Sequence, residues 1–280
     1  MSDNDVLVAE SVSKSFGSSI ALKDVTLTVP AGCVYGIIGP NGSGKTTFIR
    51  CALDLIRPTK GSIRLLGFDS RTEGRRARRD VTYLPGNLVL PARITGRQYL
   101  DDMSSLRGIR GSDDATRFAE VLGADLHRPI GQLSLGNRRK IGLISALAHR
   151  PRLLFLDEPT SGMDPLVQQT FRRLIREVAA SGTTVFLSSH VLDEVQHVSD
   201  IVAVIRNGRI DELTSRLTRK FTVLFREPIE SESFERIPEV SNVSHGDQAN
   251  EFVFSVRGAS GALFDAIAKR WGRLDFAVHA

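Results

Sequence analysis

The sequence predicts an α/β fold built around a mostly parallel β-sheet. Short apolar runs alternate with amphipathic helical segments along the chain, as strands do when crossover helices connect them. A glycine-rich loop directly follows one of these runs, and in α/β folds such a loop lies at the ligand-binding end of the sheet. The 280 residues, of which 41% are hydrophobic and 25% charged, are sufficient for a sizeable core.

The first third of the chain predicts three strands and one helix. Val6–Ala9 is short and apolar, and apolar residues alternate over Ala21–Val29. Val34–Ile38 is continuously apolar, as a strand buried on both faces would be. Apolar residues at three- and four-residue spacing then predict a helix over Phe48–Ile56, which Pro58 stops.

The middle and the following part of the chain differ in pattern. Residues from about 88 to 150 are more polar and predict a helical subdomain. Beyond them, three apolar runs predict further strands of the sheet, at Leu153–Leu156, Thr184–Leu187 and Ile201–Ile205. A helix is predicted over about 164–180, between the first two of these runs.

A second change in composition near residue 217 predicts a small additional domain. We therefore expect residues 1–216 to form one large domain, and residues 217–280 to form a small α+β accessory domain. Its predicted elements are strands at Phe221–Phe225, Val240–Val243, Phe252–Val256 and Leu274–Val278, and a helix over 260–270.

Charge and composition exclude several classes of protein. Lys and Arg exceed Asp and Glu by 37 − 32 = 5, a mildly basic balance that permits an anionic partner without requiring one. The cysteines Cys33 and Cys51 form neither a metal-binding pair nor a disulfide framework. The acidic N-terminus lacks a secretory signal, and no apolar run is long enough to span a membrane. We therefore expect a cytoplasmic chain whose membrane role, if it has one, comes through a partner.

The loop from Gly39 to Thr46 fits the phosphate-binding pattern G-x-x-x-x-G-K-S/T at every fixed position. Glycines allow consecutive backbone N–H groups to turn inward around a polyphosphate, and the N-terminus of the next helix favours an anion. Lys45 would contact the β- and γ-phosphates, and the Thr46 hydroxyl would bind Mg²⁺. The predicted phosphate contacts are Gly39, Pro40, Asn41, Gly42, Ser43, Gly44, Lys45, Thr46 and Thr47.

Two acidic residues end the strand predicted at Leu153–Leu156. Burial explains the apolar run, but it does not explain Asp157 and Glu158, because desolvating a carboxylate is costly without a cation. The carboxyl end of a parallel strand is also where ligands bind. We expect Asp157 to hold Mg²⁺ through water, and Glu158 to orient and polarise an attacking water. A solvent-facing acidic turn is the alternative.

Further motifs resemble those of the ATP-binding subunit of ABC transporters, in the order of that family. Leu133–Asn137 resembles the LSGGQ signature, and Ser161–Asp164 matches the loop after the second nucleotide element. His190 matches the switch histidine of the family, and Phe16 occupies the place of the aromatic residue that stacks on adenine. The resemblance covers about residues 6–215.

This resemblance implies an ATPase that uses ATP and Mg²⁺. It implies that Ser134 and the N–H of Gly136 in one subunit cover the γ-phosphate bound by another, at a helix N-terminus that favours an anion. ATP would then close a homodimer, and hydrolysis would reopen it. The resemblance further implies that Asp164 contributes to the nucleotide site, that Glu158 is the general base and that His190 senses the γ-phosphate.

Two short sequence segments resemble one branch of the family in particular. Tyr83–Pro85 and Leu135–Lys140 are similar to the branch that exports drugs and antibiotics with separate ATPase and permease chains. The resemblance therefore implies export of a small molecule through a separate integral-membrane permease, with this chain at the cytoplasmic face of the membrane. The permease would select the cargo, and no specific nucleic acid is expected as a partner.

The chain departs from the family pattern at two positions. Gly86 stands where the family usually has a glutamine that approaches Mg²⁺ and links the site to the permease, and glycine has no side chain to make that link. Asn87 is a candidate to replace the glutamine from one position later. Leu135 replaces the first glycine of the signature, while Ser134 and Gly136 are retained. Ordinary variation within the branch is the other explanation of both departures.

Two alternative functions follow from other features. An ABC-type ATPase that acts on nucleic acid or ribosomes is the first, because five arginines could contact phosphates, namely Arg71, Arg75, Arg76, Arg78 and Arg79. The absence of interleaved aromatic residues and the single ATPase cassette weigh against it. A weakly catalytic regulatory ATP-binding module is the second, and the departure at Gly86 motivates it.

A metal cluster is a further candidate on the segment after the predicted strand Thr184–Leu187. Four side chains could contribute ligands, namely His190, Asp193, Glu194 and His197. A cysteine does not join the group, and the resemblance already gives His190 another role. A solvated helix face is therefore the favoured interpretation.

Overall fold

A computed structural model describes residues 5–108, 113–211, 218–224, 240–245 and 251–257. The chain divides into two compact units. The first comprises Met1–Ser199 and Ala203–Leu213, and the second comprises Asp200–Val202 and Thr214–Ala280. The predicted domain boundary between residues 216 and 217 lies outside the described residues and stays a prediction.

A six-stranded, mostly parallel sheet forms the centre of the first unit, as the fold class predicts. Its strands are β3 (Val34–Ile38), β6 (Val81–Leu84), β7 (Leu153–Asp157), β8 (Thr184–Ser189), β9 (Ile201–Arg206) and β10 (Arg209–Asp211), in the order β10-β9-β3-β8-β7-β6. The pairs β3–β8, β8–β7 and β7–β6 are parallel, whereas β9 and β10 form an antiparallel hairpin. Every residue of β3, β7 and β8 is buried, which explains their continuous apolar runs.

A second sheet, antiparallel and four-stranded, contains β1 (Asp5–Phe16), β2 (Ser19–Pro30), β4 (Lys60–Leu65) and β5 (Phe68–Asp69), in the order β2-β1-β4-β5. β1 is longer than the strand predicted at Val6–Ala9. Its pairing with β2 continues past the apolar run through polar residues, with several irregularities in the register. Periodicity did not predict β4, where exposed polar residues alternate with only two buried apolar ones, Ile63 and Leu65.

The described part of the first unit also contains seven α-helices and a short 3-10 helix at Ile130–Gln132. The α-helices are α1 (Lys45–Ala52), α2 (Gly74–Ala77), α3 (Gly96–Leu106), α4 (Asp113–Leu122), α5 (Leu135–Leu147), α6 (Pro165–Ala180) and α7 (Leu192–Val198). The helix predicted over Phe48–Ile56 is α1, which ends earlier than predicted. Asp54 takes a left-handed conformation, with φ of +53°, and turns the chain out of the helix.

The segment predicted as a helical subdomain, about residues 88–150, contains α3, α4 and α5. α3 begins with a capping box, in which the Thr95 side chain accepts from the Gln98 N–H and the Gln98 side chain accepts from the Thr95 N–H. Leu100, Phe118 and Ile144 contribute to one buried apolar cluster with residues of the parallel sheet. The three helices therefore share a core with the sheet.

Four aromatic rings fix α1 against the parallel sheet. Phe186 on β8 lies at the centre of the group, with ring centroids 5.5 Å from Tyr35, 5.6 Å from Phe48 and 5.4 Å from Phe155. These distances are in the favourable range for aromatic pairs. Because Phe48 belongs to α1, this packing fixes the start of α1, where the glycine-rich loop ends.

Beyond residue 213, the described part of the second unit is a three-stranded antiparallel sheet. Its strands are β11 (Thr218–Leu224), β12 (Val240–His245) and β13 (Glu251–Arg257), in the order β11-β13-β12. They correspond to three of the four predicted strands. The strand predicted at Leu274–Val278 and the helix predicted over 260–270 lie outside the described residues.

No helix in the part of the chain that the structure describes combines the length and apolar character that a membrane crossing needs.

Candidate functional site

The glycine-rich loop lies between β3 and α1 and surrounds a small cavity. Gly42 and Gly44 take left-handed backbone conformations, with φ of +79° and +114°, which L side chains rarely adopt. A Cβ at Gly39 would lie 2.3 Å from the Ile205 carbonyl oxygen, so a side chain does not fit there. The cavity has a volume of about 160 Å³, and residues 41–47 and Glu158 line it.

Lys45 begins α1 and is almost completely buried. Its Nζ donates hydrogen bonds to the carbonyls of Gly39 at 2.6 Å and Pro40 at 3.2 Å. The same Nζ lies 3.3 Å from Glu158 Oε1. The carbonyls of the loop therefore hold the ammonium group beside the cavity.

Among the described residues, one buried polar atom in this part of the site has no partner. Ser43 Oγ has no hydrogen-bond partner within the described residues, whereas Glu158 Oε1 has only the ion pair with Lys45. A buried polar group without a partner is costly, and such groups in native structures are often explained by a ligand or an ion. The backbone N–H groups of the loop and this hydroxyl fit a polyphosphate.

Asp157 ends β7 and is 1% exposed. Its carboxylate accepts from Thr46 Oγ1, at 3.1 Å to Oδ1 and 2.8 Å to Oδ2, and from Ser188 Oγ at 2.6 Å to Oδ1. Tyr83 OH donates to Oδ2 at 3.4 Å. Burial, and then the Asp157 charge, raise the pKa of Tyr83 to about 12, which keeps this hydroxyl a donor. The hydroxyl of Thr46 and the carboxylate are the hard oxygen ligands that Mg²⁺ prefers.

Glu158 follows β7 with a left-handed backbone, at φ of +49°. Its N–H donates to the Ser188 carbonyl at 3.0 Å. Its side chain lies between two partners, because Oε2 is 2.6 Å from His190 Nδ1 while Oε1 faces Lys45. The structure thus brings the two predicted catalytic residues together, next to the loop.

Glu194 on α7 connects the loop after β7 with the end of β8. Its carboxylate accepts from Thr160 Oγ1 at 2.7 Å and from Ser189 Oγ at 2.6 Å. Ser189 directly precedes His190, so these hydrogen bonds hold the segment that carries the histidine. Glu194 therefore has a structural function, and the described residues contain no group of three metal-ligating side chains.

The signature segment begins α5. Ser134 is the N-cap of this helix, and its side chain accepts from the Asn137 N–H at 3.2 Å. Leu135, the residue that departs from the family pattern, is 55% exposed. Ser134 and Gly136 do not line the cavity around the glycine-rich loop. Within the described chain, the signature segment is therefore not part of the cavity that Lys45 and Glu158 line.

The loop Ser161–Asp164 lies against the signature segment. A Cβ at Gly136 would approach the Gly162 carbonyl oxygen to 3.2 Å, and a Cβ at Gly162 would approach Leu135 Cδ2 to 3.3 Å. Asp164 is the N-cap of α6, and its side chain accepts from the Val167 N–H at 3.0 Å. This capping function of Asp164 was not predicted from the sequence.

Replacing Asp164 with alanine is expected to lower the free energy of unfolding by about 1 kcal/mol, because the first turn of α6 loses its cap. Asp164→Asn is the matched control, since asparagine caps as well as aspartate does. Urea denaturation of both variants measures the difference. A fall in ATP turnover in Asp164→Asn without loss of stability would instead assign the carboxylate to the nucleotide site.

Other predicted residues lie at the surface. Phe16 ends β1 and is 52% exposed, with Lys14 Nζ 4.8 Å from its ring centroid, so its ring is available for stacking. Asn87 is exposed, and its proposed replacement of the glutamine stays a prediction.

In the arginine-rich segment, Arg78 donates to the Ser70 carbonyl at 2.9 Å and lies 3.9 Å from Asp54. Part of that segment is therefore structural.

Sequence analysis missed several residues around the site, chiefly Tyr83, Ser188 and Arg139. Arg139 lies on α5 and donates hydrogen bonds to the backbone carbonyls of Gly86 and Glu158. The two serines that end the apolar run of β8 were a signal that could have indicated Ser188. Arg139 is the middle one of three consecutive cations on α5, so its sequence position gave no signal that distinguished it.

The chain is similar to a known protein family and to several known ATP-binding proteins. Residues 22–161 match the protein family described as ABC transporter. The bacitracin transport ATP-binding protein BcrA of Bacillus licheniformis is 34% identical over 213 residues, which cover 74% of this chain and 69% of that protein. The lantibiotic transport ATP-binding protein SrtF of Streptococcus pyogenes is 34% identical over 73% of this chain and 89% of that protein.

A drug-resistance protein and a solved structure are also similar. The daunorubicin/doxorubicin resistance ATP-binding protein DrrA of Streptomyces peucetius is 36% identical over 70% of this chain and 61% of that protein. A solved ATP-binding subunit of an ABC transporter has a TM-score of 0.67 and 27% identity, over 74% of this chain and 90% of that chain. The predicted fold class is confirmed by this likeness.

Proposed function

Because this chain belongs to the ABC transporter family of ATP-binding proteins, we propose that it hydrolyses ATP to power export of a small molecule through a separate membrane permease. The observation that carries the proposal is the arrangement around the glycine-rich loop. There Glu158 lies between Lys45 and His190, beside a cavity that residues 41–47 of the loop line. ATP hydrolysis is the chemistry of this family.

The loop residues fit the phosphates of ATP. The left-handed glycines leave room for backbone N–H groups around a polyphosphate, and Lys45 supplies a positive charge that water reaches poorly. The buried Ser43 hydroxyl has no partner within the described residues and is available to donate. Phe16 would stack on the adenine ring from the end of β1.

Thr46 and Asp157 would hold Mg²⁺, which would neutralise charge on the phosphates. The two side chains are already within hydrogen-bond distance of each other. Ser188 and Tyr83 donate to the same carboxylate and fix its orientation. These outer residues would keep Asp157 directed toward Thr46.

Glu158 would act as the general base. In the reaction, the water oxygen bonds to the γ-phosphorus as the Glu158 carboxylate accepts a water proton, and the bond to the bridging oxygen breaks with its electron pair left on ADP. Hydrogen bonding to His190 would hold the carboxylate in place, and His190 itself would respond to the γ-phosphate.

A second copy of the chain would complete the site. Ser134 and Gly136 stand at the start of α5 and are not part of the cavity lining, while the exposed side chain of Leu135 leaves this end of the helix accessible. A helix N-terminus favours an anion. We therefore propose that the signature of one subunit covers the γ-phosphate held by the loop of another, in an ATP-closed homodimer.

The relatives support export as the direction of transport and antibiotic-like molecules as the class of cargo. Their names describe transport of bacitracin and lantibiotics and resistance to daunorubicin. The chain would then be peripheral at the cytoplasmic face of the membrane, held there by the permease.

Affinity purification of the tagged full chain from detergent-solubilised membranes of its host tests the proposal. We expect a stoichiometric polytopic membrane protein to be recovered with it, and ATP turnover in that complex. Recovery only with ribosomes or nucleic acid, with a yield that falls steeply with salt, would contradict the transporter function and support the nucleic-acid alternative. An ordinary turnover rate in the complex would exclude a merely regulatory module.

A further inference from the structure

Arg139 connects three segments of the chain around the site. It lies on α5, the helix that begins with the signature segment. Its Nη2 donates to the Gly86 carbonyl at 2.6 Å, in the loop after β6, and its Nη1 donates to the Glu158 carbonyl at 3.0 Å, directly after β7. One planar guanidinium group therefore binds two backbone segments at once, which a lysine could not do with the same geometry.

The burial of this side chain indicates a specific function. Arg139 is 7% exposed, and the described residues place no carboxylate within ion-pair distance of it. Desolvation lowers its pKa from the ordinary arginine value, whereas the charges of Glu158 and Asp157 act in the opposite direction. Burying a charge against neutral carbonyls is costly, and an apolar residue would pack in this place at lower cost.

The carbonyl that Arg139 holds belongs to a strained residue. Glu158 has a left-handed backbone, which for a non-glycine residue persists only where the surroundings determine it. Its N–H is held by the Ser188 carbonyl at 3.0 Å, and its C=O is held by Arg139. The backbone of Glu158 is thus anchored at both ends, from β8 and from α5.

We propose that Arg139 is a positioning residue that holds the Glu158 carboxylate in its catalytic orientation and makes that orientation depend on the loop containing Gly86. This inference rests on the proposed function, in which Glu158 is the general base. A movement of α5 or of the Gly86 loop would reach Glu158 through the same guanidinium, without any side chain at position 86. A Cβ there would already lie 3.2 Å from the Asp157 carbonyl oxygen.

The test compares Arg139→Met and Arg139→Lys with Lys140→Met in the full chain. Lys140 is the matched control, because it is the next cation on α5 but donates to the Gly123 carbonyl, at 3.3 Å, away from the loops after β6 and β7. We expect Arg139→Met to lower kcat up to about 10²-fold, since small misplacements of a catalytic group have effects of that size. The KM for ATP and the nucleotide Kd should change less than about twofold.

Arg139→Lys should recover part of kcat, because its ammonium can still donate to one of the two carbonyls. Lys140→Met should leave kcat near that of the unmodified chain. If the methionine variant does not fold, the lysine variant supplies the same comparison of kcat with Kd. A loss of ATP affinity or of folding stability in Arg139→Lys with unchanged kcat would overturn the proposal.

Combining the substitutions separates this inference from the proposed function. If Arg139 acts through Glu158, adding Arg139→Met to Glu158→Gln should slow single-turnover hydrolysis no further. An equal additional loss in that background would show that Arg139 acts independently, and the inference would be wrong while the proposed function stands. Full activity of Glu158→Gln alone would instead contradict the general base, whatever Arg139 does.

Discussion

Replacing Glu158 with glutamine is expected to lower ATP turnover by about 10²- to 10⁴-fold, the usual contribution of a general base. The amide cannot accept the water proton, but it has nearly the shape of the carboxylate. Turnover is measured as phosphate release from the full chain and from the complex with its permease. ATP binding should be retained, because Lys45 is held by the carbonyls of Gly39 and Pro40 independently of Glu158.

The same variant tests the ATP-closed dimer. With hydrolysis prevented, saturating ATP and Mg²⁺ should convert the chain from monomer to dimer, whereas ADP should not. Light scattering after size-exclusion chromatography measures the change in mass. A Glu158→Gln chain that stays monomeric with ATP, both alone and in membranes with its partner, would contradict the composite site. Unimpaired turnover would remove Glu158 from the role of general base.

Replacing Lys45 with methionine is expected to have the second large effect, on binding as well as on turnover. Lys45 is 5% exposed, so its charge acts on the phosphates with little screening. A hydrogen bond to a charged group contributes about 1.5–3 kcal/mol, which corresponds to about a 10- to 150-fold weaker Kd for ATP. The loss should be larger for ATP than for ADP, because the lysine is expected to contact the γ-phosphate.

Lys60→Met is the control for this substitution. Lys60 is exposed at the start of β4, so its removal changes the net charge equally without changing the loop. Titration with a fluorescent ATP analogue measures both variants. An ATP Kd in Lys45→Met equal to that in Lys60→Met would contradict the assignment of the loop to phosphates. Comparison of Lys45→Met with Glu158→Gln then distinguishes a residue that binds ATP from a residue that takes part in its hydrolysis.

Periodicity predicted the strands whose environment is uniform. Val34–Ile38 and Leu153–Asp157 are buried on both faces of the parallel sheet, so burial alone determines their composition. Periodicity did not predict Lys60–Leu65, because one face of that strand is open to solvent and its pairing with β1 supplies the stability. Periodicity also placed the end of α1 too late, because the tertiary structure, and not apolar spacing, determines the left-handed turn at Asp54.

Sequence alone predicts the residues that we propose to hold phosphates, because the loop between β3 and α1 is a local structure. Its glycines take conformations that few other residues adopt. Lys45 follows them at the spacing of the phosphate-binding pattern. The two acids at the end of β7 could be recognised in the same way, since a carboxylate at the end of a buried strand needs a partner.

The side chains that contact these site residues are determined by how strands and helices pack. His190 reaches Glu158 because β7 and β8 are adjacent and parallel, which brings the ends of two strands together although 32 positions separate the residues. Arg139 reaches Gly86 and Glu158 because α5 packs beside both loops. Asp164 caps α6 at a position where sequence indicated a nucleotide contact. Sequence spacing does not specify such contacts, because they depend on the order in which strands and helices pack.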